Sequence, residues 1–281
     1  METMVTSATK QVLVSPQQPT VLIGERINPA GKKNLSEALK SGNLDIVRRE
    51  ALEQVQAGAD MLDVNVTMFG VEETALLPQA VQIVMETVDV PLCIDSPNPK
   101  ALEAALKVYK GKPLINSVSG EQHALKTVFP LVKEYGTAVI GLLQDDEGIP
   151  NNPERRVAIA HKIVESAEAY GIPREDIIID CLALAVGANT KSGIISFEAA
   201  RRIKSELGVN LTMAASNISF GLPNRNVINS ASVVIAIATG VNCLIVDVAK
   251  IRSIVLAADL VLDRDERARR YLEDYRQSQK H

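Results

Sequence analysis

The chain has 281 residues, 46% of them hydrophobic, and a formal charge of −4 made of interspersed acids and bases. That is enough apolar material for one large core, and no basic run is present of the kind that grips a phosphate backbone. Nucleic acid is therefore not an expected partner, and no apolar run approaches the length that crosses a membrane as a helix.

Residues 1–20, METMVTSATKQVLVSPQQPT, lack a charged start followed by a long apolar core, so they read as an irregular extension and not as an export signal. The three cysteines, Cys93, Cys181 and Cys243, have no CxxC or Cys/His spacing and lie in or beside apolar runs. Buried small hydrophobes in a reducing cytoplasm are the expectation.

From Val21 onward, short runs rich in Val, Ile and Leu alternate with longer segments of helical spacing, the pattern of repeated βα units. The runs, eight in all, are VLIGE (21–25), MLDVNV (61–66), PLCID (91–95), PLINS (113–117), TAVIGL (137–142), DIIID (176–180), LTMAA (211–215) and CLIVDV (243–248). Between them the spacing predicts helices that include Leu44–Ala57, Glu73–Thr87, Pro99–Tyr109, Pro153–Tyr170 and Phe197–Leu207. Runs that are apolar throughout suit strands covered on both faces, and eight of them predict a single-domain TIM (β/α)8 barrel over 21–263. The competing open doubly wound sheet lacks its GxGxxG or P-loop signature. Residues 264–281, dense in charge, read as a solvated C-terminal helix or tail.

Several runs end in side chains that an apolar barrel does not need: Glu25, Asp63 with Asn65, Asp95, Asn116, Asp180, Ser216 with Asn217, and Asp247. In a parallel barrel these ends open on one face, where active sites are built. Each alone is as readily a helix cap as a ligand. Together they converge on one mouth, where buried amides and carboxylates need hydrogen-bond partners and a flat polar heterocycle would supply them. A Mg²⁺ site is weighed against this, but there is no HExxH, and His123, His161 and His281 fall in helical or tail segments. No GxSxG elbow or Cys/His pair is present for covalent acyl chemistry. The site reads as polar, non-covalent and free of metal.

In order along the chain occur IGERIN (23–28), LDVNV (62–66), CIDSPN (93–98), INS (115–117), IID (178–180) and SNISFGLPNR (216–225). From about Val21 to Asp263 this resembles the pterin-binding methyltransferases. Closest in pattern are the methyltetrahydrofolate:corrinoid protein methyltransferases of O-demethylase and acetyl-CoA pathway systems, together with the folate module of cobalamin-dependent methionine synthase. The resemblance implies that Asp95, Asn116 and Asp180 hydrogen-bond the polar edge of the pterin, and that Asn217 sits beside N5, the atom that carries the methyl. Ser216 and Arg225 belong to the same family loop, Asp63 and Asn65 to the polar floor of the second strand, and Asp95 or a water would relay the N5 proton. Cys181 stands where the family often has proline, and Ala214 where a glycine often precedes the Ser-Asn pair, which bears on how tightly the ring packs.

The implied activity moves a methyl group between tetrahydrofolate and a corrinoid carried on a separate protein, in the direction from methyl-Co(III) to folate for a demethylase system. 5-Methyltetrahydrofolate is the other folate substrate. The chain has no DxHxxG motif, so the cobalamin is expected to come with the partner. The resemblance also implies a homodimer. Two alternatives stay open: a dihydropteroate synthase-like enzyme, against which stands LDVNVTMFGVEE in place of a Gly-Glu-Ser-Thr-Arg type loop, and a non-catalytic barrel subunit of a corrinoid complex.

Overall fold

The structure is a computed structural model that describes residues 1–279; Lys280 and His281, the end of the expected tail, lie outside the described residues. Strands β1 (Thr3–Thr6) and β2 (Gln11–Val14) form an antiparallel pair. Eight parallel strands follow: β3 (Val21–Ile27), β4 (Met61–Asn65), β5 (Leu92–Asp95), β6 (Leu114–Ser119), β7 (Ala138–Leu142), β8 (Ile177–Asp180), β9 (Asn210–Ala214) and β10 (Cys243–Val246). They pair in chain order, and β10 returns to β3 through Cys243↔Val21, closing a TIM barrel with helices between its strands.

The helices begin and end where side-chain chemistry dictates. Asn98 and Asn152 each accept a backbone N–H of the first turn, from Lys100 and Arg155, ahead of helices Pro99–Val108 and Pro153–Ala169 that place proline at the start. Gly136 and Gly208, both left-handed, end helices Gln122–Tyr135 and Ser192–Leu207.

Side chains alternate across a strand, so each barrel strand divides into an outward and an inward column. The outward column, with Leu62, Val64, Ile94, Ile115, Ile179 and Leu244, joins the helices in the main core. A second, smaller core fills the barrel with Val21, Ile23, Met61, Cys93, Leu114, Ile140, Ile178, Cys243 and Ile245. Continuing these inward columns by two residues gives Glu25 above Ile23, Asp63 above Met61, Asp95 above Cys93, Asn116 above Leu114 and Asp180 above Ile178. The period of the strand thus carries the polar residues onto the lumen at its C-terminal end.

The expectation of an irregular segment over 1–20 is corrected. The β1–β2 hairpin sits under the barrel, with Val5 and Val14 wholly buried against the inner core. Asn210 at the foot of β9 donates to Thr3 Oγ1 (2.9 Å) and to the Val14 carbonyl (2.8 Å), and the Thr6 amide donates to the Lys112 carbonyl (2.8 Å). Strands of four residues give too short a hydrophobic alternation to stand out, and the hairpin is made by its burial. At the other end of the chain, helix Arg269–Ser278 is tied down by the Arg252–Asp274 ion pair at 2.7 Å.

Candidate functional site

A cavity of about 600 Å³ opens at the C-terminal end of the barrel. Of the residues that the sequence singles out, Asp63, Asp95, Asn116, Asp180, Ser216, Asn217 and Arg225 all line it, and the structure brings them together from strands β4, β5, β6 and β8, the turn after β9 and the start of the helix that follows it. Asn65 does not line it. It stands beside the cavity and donates through Nδ2 to Asp95 Oδ2 at 2.8 Å while its own oxygen takes the Thr67 amide at 2.7 Å, so it orients a neighbour.

The polar floor is internally wired. Asn116 Nδ2 donates to Asp63 Oδ1 at 3.1 Å, and Asp180 Oδ1 accepts the Leu182 amide at 2.7 Å. Ser216 Oγ donates to Glu25 Oε1 at 2.7 Å. Arg225 holds the loop after β9, donating from Nη2 to the Ser216 carbonyl (2.7 Å) and from Nε to Ser219 Oγ (2.9 Å), with its guanidinium 5.9 Å from the centre of the Phe220 ring.

Asn217 lies in a short 3-10 turn, Ala215–Ser219, and is exposed at the rim. Its carbonyl accepts the Phe220 amide at 3.1 Å. Among the described residues its side-chain amide makes no hydrogen bond, and the following helix, Arg225–Ala238, begins after Asn224. Asn217 is thus not spent as a helix cap, and the residue lines the cavity at its rim.

Burial governs the electrostatics. Asp95 and Asp180 are each pushed up to about 6, in both cases first by loss of solvent. Asp63 rises well above the ordinary carboxylate range, first by burial and next by the neighbouring Asp95 charge. Glu25 is also raised, first by burial, while burial lowers Lys32. A lining with Glu25, Asp63, Asp95 and Asp180 against only Lys32 and Arg225 favours a ligand edge rich in hydrogen-bond donors.

Sequence reasoning missed Lys32 and Gln144 as lining residues. Both come from loops, where no strand period marks an inward position. Glu25 was legible as a polar strand end, and lines the cavity too. Asp247 does not line it; it pairs with Lys250 at 2.5 Å in a side pocket of about 130 Å³ shared with Glu25, Ser216 and Arg225. His123 lines an adjoining recess of about 330 Å³, and His161 is a helix-surface residue between Glu165 (3.8 Å) and Glu206 (3.2 Å). All three cysteines are unpaired and buried. Among the described residues no group of three or more His, Cys, Asp or Glu side chains is placed to hold a metal ion, and no helix is long and apolar enough to cross a membrane.

Residues 24–247 match the family described as Pterin binding enzyme. The chain is 30% identical over 267 residues to a methylcorrinoid:tetrahydrofolate methyltransferase of Eubacterium limosum, covering 92% of this chain and 96% of that protein. It is 31% identical over 270 residues to methionine synthase of Mycobacterium leprae, covering 88% of this chain but only 22% of that much longer protein. Among solved structures it resembles dihydropteroate synthase of Yersinia pestis in complex with a sulfonamide drug, with a TM-score of 0.73 at 16% identity over 92% of this chain and 99% of that one. The same enzyme from Thermus thermophilus gives 0.68 at 20% identity, over 92% and 99%. At such identities the likeness speaks for the fold.

Proposed function

Since the chain belongs to the pterin binding enzyme family, we propose that it binds a folate in the barrel mouth and moves a methyl group between N5 of that folate and a corrinoid carried on a separate protein. The observation that carries this is the ring of inward polar side chains, Asp63, Asp95, Asn116 and Asp180, beneath the free amide of Asn217 in one cavity. Transfer from methylcorrinoid to tetrahydrofolate, as part of a demethylase system, is the proposed direction; its support is the likeness to the methylcorrinoid:tetrahydrofolate methyltransferase of Eubacterium limosum.

Asp95, Asn116 and Asp180 are proposed to hold the donor-rich edge of the pterin, with Asp63 and Asn65 keeping Asn116 and Asp95 in place. Ser216 and Arg225 fix the loop that carries Asn217. The corrinoid supplies the methyl on cobalt and leaves with the electron pair of the broken Co–C bond. At the folate, N5 gives its lone pair to the methyl carbon and afterwards sheds its proton. An amide can accept from N–H or donate to the lone pair, so Asn217 suits N5 in both charge states. Asp95, with its carboxyl near 6, is the proposed relay for the proton.

Calorimetric titration with tetrahydrofolate and with dihydropterin pyrophosphate tests this assignment. Binding of the first and not the second is expected, together with methyl transfer from a methylated corrinoid protein; the reverse preference would make the chain a dihydropteroate synthase-like enzyme, and folate binding without transfer a non-catalytic subunit. Tetrahydrofolate affinity should be the same before and after EDTA treatment, because the proposed ligands are amides and carboxylates acting directly on the ring. Loss of binding on chelation, restored by Mg²⁺, would sink that expectation.

The working form is proposed to be a homodimer in a reducing cytoplasm. The three unpaired buried cysteines support the compartment. Support for pairing comes from helix Arg225–Ala238, whose outward side exposes Val227, Val234 and Ile235, and from the lack of any charged residue between Arg225 and Asp247. Light scattering should give twice the chain mass of 30.3 kDa. A single monomer mass at working concentrations would count against pairing.

A further inference from the structure

Arg156, in helix Pro153–Ala169, is only 1% exposed and is among the largest wholly buried side chains. A buried guanidinium ordinarily meets a carboxylate, because an unpaired buried charge is costly. Arg156 instead spends its donors on neutral oxygens: Nε on the Pro150 carbonyl at 3.1 Å, and Nη1 on the carbonyls of Cys181 and Leu182, both at 3.0 Å, and on Ser196 Oγ at 2.9 Å. Among the described residues it makes no ion pair.

Three of those acceptors belong to segments that border the cavity. Cys181 and Leu182 follow Asp180 directly, and Pro150 follows Ile149, which lines the cavity, as do Leu182 and Ala183. Leu182 has φ +54°, a left-handed conformation that costs a branched residue energy unless its surroundings impose it. The imposition is visible. With the carbonyls of residues 181 and 182 drawn back toward the guanidinium, the Leu182 amide is left to donate to Asp180 Oδ1 at 2.7 Å. Ser196 Oγ adds a second hold by donating to the same Leu182 carbonyl at 2.9 Å.

We propose that Arg156 is a positioning residue for pterin recognition: it fixes the 181–182 turn that presents Asp180 to the cavity and ties it to the loop carrying Ile149. The inference rests on reading the cavity as the folate site. Arg156 touches no ligand itself, so its loss acts on affinity through Asp180 and leaves the chemistry at N5 in place.

The test compares tetrahydrofolate titration and single-turnover methyl transfer for the parental protein, Arg156→Met and Arg156→Lys, with the folded fraction of each checked by circular dichroism. Arg156→Met, nearly matched in length, should bind tetrahydrofolate about 10- to 100-fold more weakly, the scale on which a displaced contact group acts, while transfer at saturating folate stays within about threefold. Arg156→Lys should recover part of the loss, since one ammonium can reach only some of the carbonyls. A folded Arg156→Met with parental affinity overturns the proposal. If that variant does not fold, Ser196→Ala decides: weaker folate binding with unchanged transfer at saturation supports the role, and parental affinity overturns it. A parental protein that fails to bind tetrahydrofolate overturns the folate reading and this inference with it, whereas equal binding by parental and variant proteins overturns this inference alone.

Discussion

Asn217→Ala should slow methyl transfer about 10²- to 10³-fold while tetrahydrofolate affinity falls by no more than about tenfold. The asymmetry follows from what the side chain does. Its amide stands exposed at the rim with no hydrogen-bond partner among the described residues, so removing it leaves no buried group unsatisfied and no turn uncapped. In its proposed role at N5 it adds one neutral hydrogen bond in the ground state, a contribution of about 0.5–1.5 kcal/mol. In the transition state the charge on N5 is changing, and a donor or acceptor already in place there is worth far more than in water. Single-turnover transfer from a methylated corrinoid protein, measured beside a folate titration, separates the two quantities. Transfer at the parental rate would remove Asn217 from the chemistry and leave it a rim residue.

Asp180→Asn should raise the melting temperature at pH 8 and weaken tetrahydrofolate binding at the same time. The carboxyl sits at about 6 in the folded chain against an ordinary value of 3.8, and the first cause is burial. A group raised on folding favours the native state below its unfolded value, and that advantage is lost as pH climbs through the folded value. At pH 8 the ionised carboxylate therefore costs the fold about 3 kcal/mol, from roughly two units at 1.36 kcal/mol each. Near pH 4 it costs little. Asparagine removes the charge and keeps an acceptor for the Leu182 amide, but its NH2 faces the Ala214 amide that the carboxylate accepts. The net gain is a few degrees at pH 8 and close to nothing at pH 4. On the proposed function the charged hydrogen bonding of Asp180 to the pterin edge is lost, so affinity should fall at least tenfold or so. Calorimetric melts at both pH values together with a titration check this. An unchanged or lower melting temperature at pH 8, with folate affinity retained, would contradict both halves.

The barrel was legible because its strands are covered on both faces, so that PLCID or DIIID announces itself by composition. The floor of the site was legible for a related reason: an Asp or Asn ending one such run can be a helix cap, but a set of them ending several runs of one barrel converges on a single mouth. What the sequence could not reveal was which polar residues form the surface and which stand behind it. Asn65 and Asp95 look alike as strand-end residues, yet one lines the cavity and the other holds its neighbour. Helix Arg225–Ala238 carried no helical contrast, since Asn229 and Ser232 turn inward while Val234 and Ile235 turn outward. Arg156, within PERRVAIAH, is indistinguishable in the sequence from the half-buried arginine beside it. Its burial depends on where the loop before its helix and the 181–182 turn pass, which no local pattern encodes.

The hairpin under the barrel bears on the order of events in turnover. With Val5 and Val14 seated in the inner core, the N-terminal end of the lumen is stoppered by the chain itself. On the proposed function, the pterin then has one doorway, and it is the doorway over which the corrinoid protein must stand to bring cobalt to N5. Folate has to enter before the partner arrives, and its methylated product is trapped until the partner departs. Turnover would be compulsory-ordered, with folate first on and last off, so that a slow-dissociating corrinoid protein would throttle the release of folate.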